Sequence, residues 1–91
     1  MDRETEIRRE IAAVLQCPLG KIHNHSRLKR DLKCLNAEFI ALVMRLEAKY
    51  HIRLADNDLN TVITVADLLA TVLATEKSQR KAEENHGTTE I

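Results

Sequence analysis

Tryptophan is absent, and one Phe and one Tyr make aromatics only 2% of the chain. An aromatic-centred core is excluded, so the interior must be aliphatic. Two Gly and one Pro across 91 residues leave few chain breakers. That scarcity argues against a turn-rich β architecture and favours helices. The two Cys form no CxxC pair, and neither a secretory signal nor an apolar run of bilayer length is present. A disulfide framework and a membrane span are therefore not expected, and a reducing cytoplasm suits the two thiols. Neither sign of charge is in excess: 14 basic and 14 acidic side chains cancel. A neutral total gives no electrostatic case for nucleic acid.

What is present is a chain 44% hydrophobic and 31% charged, enough for one small globular domain. Ile7, Ile11, Val14 and Leu15 share one helical face, which predicts a first helix over about 2–16. Cys17-Pro18-Leu19-Gly20 ends it, Pro disfavouring helical backbone before it and Gly permitting the turn. A long connection follows over 21–35, with Leu19, Ile22, Leu28 and Leu32 expected to anchor it to the core. The second helix is expected over about 37–50, with Asn36 as its N-cap and Leu35 and Ile40 as a hydrophobic staple. Asp56-Asn57-Asp58 marks a turn or short third helix. Thr64 and Asp67 have capping-box spacing for a last helix, whose apolar face is Val65, Leu68, Leu69, Val72 and Leu73. From about Thr75 the chain turns polar; the last helix is free to run on into this segment, 76–91 is expected to be a partly disordered tail, and His86 to Ile91 to be disordered. The expected class is all-α: three main helices and a short one, with a long ordered loop between the first two.

Catalytic and metal chemistry are weakly represented. Cys17, His23, His25 and Cys34 include zinc-ligand types, but their spacing is irregular. Cys34 as a nucleophile would need an activating base and an orienting third group, and no such set is evident. The loop is locally basic, with Lys21, Arg27, Lys29, Arg30 and Lys33 around the single acid Asp31. Such a run is most often plain solvated surface; as a functional feature it is a docking patch for an acidic partner.

Several segments taken in order resemble the acyl carrier proteins. Asp31-Leu32 matches the Asp-Leu before that family's attachment site. Leu42-Val43-Met44, Leu46-Glu47, Tyr50 and Ile52 follow the rhythm of its second helix, and Thr64-Val65-Ala66-Asp67-Leu68 matches the start of its last helix. The resemblance runs without a gap from Glu4 to Leu73, so residues 1–75 read as an acyl-carrier-like helical domain. The departures lie at the chemical centre. The family's Asp-Ser-Leu triplet, whose Ser carries phosphopantetheine, is here Leu35-Asn36-Ala37. Lys33 replaces a usual Gly, and the family's acidic surplus is missing.

The resemblance implies a carrier-shaped body without its handle, because an amide cannot be esterified to phosphate as a hydroxyl can. Asn36 stands at the attachment position, and 4′-phosphopantetheine is expected to be absent. The expectation is a non-enzymatic interaction or regulatory module linked to fatty-acid or polyketide biosynthesis. Its partner is expected to be a carrier-recognising enzyme or an acidic protein surface. The expected contact residues are Leu35, Phe39, Ile40 and Met44 at the mouth of helix two, with Arg27, Lys29, Arg30 and Lys33 beside it. Two alternatives remain: a working carrier modified at an unusual residue such as Ser26, and a small protein that binds an apolar ligand.

Overall fold

The aliphatic stripes read from the sequence need partners, and the fold supplies them by packing helices on one another. The computed structural model describes the backbone of residues 2–89 and the side chains of residues 2–79. Its elements are α1 (Arg3–Leu15), a 3-10 turn (Leu19–Lys21), α2 (Asn36–Tyr50), α3 (Asp56–Leu59) and α4 (Val65–Thr89). The chain is all-α; β pairing among the described residues is limited to one antiparallel bridge between Arg27 and Thr64.

Two of the helix starts, those of α1 and α4, are held by side-chain caps. The Asp2 side chain accepts the Thr5 N–H at 2.7 Å and caps α1. That amide, then the Thr5 side chain, holds the Asp2 carboxyl below its ordinary range. At α4 the expected box forms in both directions. Thr64 Oγ1 accepts the Asp67 N–H at 3.1 Å, and Asp67 Oδ2 accepts the N–H groups of Thr64 and Ile63, each at 3.0 Å. The Thr64 amide, then that of Ile63, lowers the Asp67 pKa.

The core is aliphatic, as the composition requires. Ile7 and Ile11 of α1, Leu42 and Leu46 of α2, and Val65, Leu68 and Val72 of α4 are fully buried. Burying one such side chain contributes about 1.5–3 kcal/mol. Around this centre, charged pairs lace the helices together. Glu10 of α1 takes Arg45 at 2.9 Å and Lys49 at 3.3 Å, both from α2. Burial pushes the Glu10 pKa up, but these two cations outweigh it and leave the carboxyl below its usual value. Tyr50 donates to Glu6 at 3.0 Å, and burial, then Glu6, raises its hydroxyl to about 12.

The long loop is ordered by backbone bonds to the start of α4. Leu28 N–H donates to Ile63 C=O, Val65 N–H to Ser26 C=O and Ala66 N–H to Asn24 C=O, each at 2.9 Å. Ile22 and Leu28 are buried and Leu32 packs against the core, as expected. Leu19 does not follow them; it lies in the 3-10 turn and is 39% exposed.

Two further expectations are corrected. Gly20 has no positive φ; the left-handed residue that ends α1 is Gln16, with φ 54°. The helix after Val65 runs on past the apolar stripe, as the sequence left open, but the disorder expected from His86 is not seen over the described backbone. Its backbone continues to Thr89, so residues 76–89 are helical, including the part expected to be disordered from His86. Helical hydrogen bonds are internal to the segment and need no buried face once nucleated. Glu90 and Ile91, part of the same expectation, lie outside the described residues.

Candidate partner-docking groove

The mouth of α2 is built one residue earlier than the capping pattern suggests. Leu35 is the N-cap, with extended backbone, and Asn36 is the first helical residue. Leu has no side-chain acceptor, so only half of a capping box exists: Glu38 Oε1 accepts the Leu35 N–H at 2.9 Å. The Asn36 side chain is exposed and does no capping. The staple shifts with it. The flanking positions become Cys34, which is buried, and Phe39, which packs against the core, while Leu35 and Ile40 are 65% and 59% exposed. Asn lost the cap because the preceding residue, not Asn36 itself, holds the extended dihedrals.

Beside this mouth runs an open groove of about 930 Å³. Phe39, Ile40, Val43 and Met44 of α2 form one wall. The opposite wall is Asp56, Leu59 and Asn60 in and just after α3, with Val62 and Ile63 beyond it. The loop closes the third side with Arg27, Leu28, Lys29 and Arg30. Six of the eight expected contact residues therefore line one cavity. Leu35 and Lys33 do not line it, nor does Asn36.

The loop presents its cations because its one acid serves the loop itself. Asp31 Oδ2 accepts the Arg27 N–H at 2.8 Å, and Asp31 N–H donates back to Arg27 C=O at 2.9 Å. Only a long contact of 4.0 Å remains between that carboxylate and the Arg27 guanidinium. Lys29, Arg30 and Lys33 are exposed and form no ion pair among the described residues. Lys33 also holds φ at 58°, where an L side chain is strained. Lys33, which stands where the sequence resemblance leads one to expect Gly, is thus left-handed.

The remaining residues singled out in the sequence stay apart from the groove. Ser26 is buried, at 6% exposure, and its hydroxyl accepts the His23 N–H at 3.2 Å. It is a turn-forming serine. Burial, then the Glu38 charge, raises the Cys34 thiol, the reverse of what a nucleophile needs. Cys17 and Cys34 are both free. His23 and His25 stack in the exposed loop at 5.5 Å. Among the described residues no grouping of three or more His, Cys, Asp or Glu has metal-site geometry, and no helix is long and apolar enough to cross a membrane.

Sequence reasoning missed the far wall. Val62 and Ile63 sit in a stretch of mixed polarity where no single period is readable. The available signal was the capping box at Thr64. A box there places Ile63 outside the helix, with its amide tied to Asp67 and its side chain 61% exposed.

No protein-family model matches this chain.

Proposed function

We propose that this protein is a carrier-shaped interaction module that does no chemistry of its own. It occupies or bridges a partner that recognises such a shape. The observation that carries this reading is the pairing of an exposed amide at residue 36 with a nearby groove lined by apolar side chains, three cations and one acid, Asp56. The amide removes covalent loading; the groove offers a surface for non-covalent contact. If the resemblance to acyl carrier proteins reflects descent, the partner belongs to fatty-acid or polyketide biosynthesis. A carrier charged at Ser26 is disfavoured, because that hydroxyl is buried and already accepts a hydrogen bond.

Two measurements test the proposal. Intact mass after incubation with coenzyme A and a phosphopantetheinyl transferase should be unchanged; a gain of one phosphopantetheine would refute it. A photo-crosslinker placed at Met44 in living cells should trap a discrete protein, whereas one at the exposed Arg9 on α1 should not. Equal or absent labelling from the two sites would sink the module.

A further inference from the structure

Helix α2 has too much apolar surface for a helix with one packed side. Leu42, Val43 and Leu46 face the core. Yet Ile40 and Met44, one turn apart, are 59% and 63% exposed, and Ala37, Ala41 and Ala48 at helical spacing with them are exposed as well. Across the groove, Ile63 is 61% exposed. Large aliphatic residues so exposed and so grouped mark an interaction site.

The shape narrows the occupant. A single alkyl tail could lie along the groove floor, but it would leave the rim residues Ile40, Met44 and Ile63 in water on both sides. A helix is about 10–12 Å across and covers floor and rim together. Met44 also borders a second hollow, formed with Glu47, Ile52 and Leu54, so the apolar track extends further along α2. An unbranched thioether at that junction adapts to varied side chains. Small Ala residues along the same face let a second backbone come close.

The charge narrows it further. Arg27, Lys29 and Arg30 border the groove, with Asp56 the one acid on its opposite wall; among the described residues Lys29 and Arg30 form no ion pair, and Asp31 holds Arg27 only at 4.0 Å. A carboxylate arriving there meets the Lys29 ammonium and the Arg30 guanidinium, neither of them paired among the described residues, and the weakly held Arg27 guanidinium. We infer that the groove takes an amphipathic helix of a partner protein, with apolar residues at helical spacing and Asp or Glu along its flank. This inference rests on the interaction-module reading. It adds the partner's chemistry: its carboxylates seat against Arg27, Lys29 and Arg30, while its apolar stripe covers Ile40, Met44 and Ile63.

The test uses the full chain and a labelled helical peptide of roughly 16 residues, with Leu at i, i+3, i+4 and i+7 and Glu on its flanks. A twin peptide carries Lys at every Glu, and oleate serves as the lipid probe. Anisotropy titrations should show the Glu peptide binding about tenfold or more tightly than the Lys twin at low salt, the gap narrowing as salt rises. K29E/R30E should reverse that preference, and M44E should weaken the Glu peptide about tenfold. Amide shifts should map to Phe39, Val43 and Ile63. All substituted side chains are exposed, and circular dichroism checks that each variant remains helical.

Equal affinity for the two peptides, or no reversal in K29E/R30E, overturns the inference. Oleate binding in the groove while both peptides fail overturns it in favour of a lipid ligand. The two proposals fail separately. A Met44 crosslink in cells with no Glu-peptide binding removes the acidic helix and keeps the module. Glu-peptide binding with no such crosslink removes the module.

Discussion

Replacing Lys33 by Gly should make this protein more stable. Lys33 has φ 58°, one of three left-handed residues among those described, none of them Gly. An L residue there costs roughly 1–2 kcal/mol. Gly removes that cost but gives the unfolded chain more freedom, which takes back about 0.5–1 kcal/mol. The Lys33 side chain is exposed and in no ion pair among the described residues, so little contact is lost. The net gain should be about 0.5–1 kcal/mol. For a domain of this size that raises Tm by roughly 2–8 °C. Lys33→Ala is the necessary control. It removes the same positive charge from the basic loop yet keeps the left-handed strain. Thermal melts followed at the helical circular dichroism band should therefore rank Gly above Ala by the backbone term alone. If the Gly and Ala variants melt together, strain at residue 33 is not a cost this protein bears, and the argument fails.

Further perturbations test other parts of the structure. Leu35→Ser supplies the missing acceptor at the α2 N-cap, worth about 0.5–2 kcal/mol, against a partial apolar loss of about 0.5–1 kcal/mol for a side chain already 65% exposed; a clear drop in Tm would show that Leu35 is held more firmly than its exposure implies. Asn36→Ser should shift stability by only a few tenths of a kcal/mol, because residue 36 is first in the helix and does no capping. It should also stay unmodified by a phosphopantetheinyl transferase unless Leu35→Asp and Ala37→Leu accompany it, as intact mass would show. Leu46→Ala empties a fully buried site linking α2 to the core and should cost about 2–5 kcal/mol in urea unfolding. Asp2, Glu10 and Asp67 all have lowered folded pKa values. Their stabilisation is complete above the ordinary carboxyl range and is lost as pH falls through the folded values. Urea midpoints should hold from pH 7 to about 5 and decline below about pH 4; a flat profile down to pH 2 would contradict the capping and ion-pair roles.

Much of the architecture could be read from residue order. Ile7 and Ile11, Leu42 and Leu46, and Leu68 and Val72 repeat at helical spacing, and that spacing forces three amphipathic helices into a common core. The Thr64–Asp67 box was legible because both partners lie within one turn. The Asn36 cap was misplaced for a complementary reason. Two adjacent residues both fit a helix mouth, and only the actual dihedrals decide which is extended. For the groove, sequence supplied the α2 wall and the cations but not Leu59, Val62 or Ile63, which belong to a segment without clear period.

By itself, the sequence determined the class of fold, the aliphatic interior and the presence of an amide side chain at residue 36. These follow from composition and local periodicity, which need no knowledge of what lies opposite. Only the tertiary structure decided that the basic loop, the outer face of α2 and the residues around α3 enclose one groove. It also decided that Asp31 turns back on its own loop and leaves Lys29 and Arg30 without an ion pair among the described residues. Those outcomes depend on contacts between residues distant in the chain, such as the Leu28 amide on the Ile63 carbonyl, and no local pattern encodes which pairs will meet.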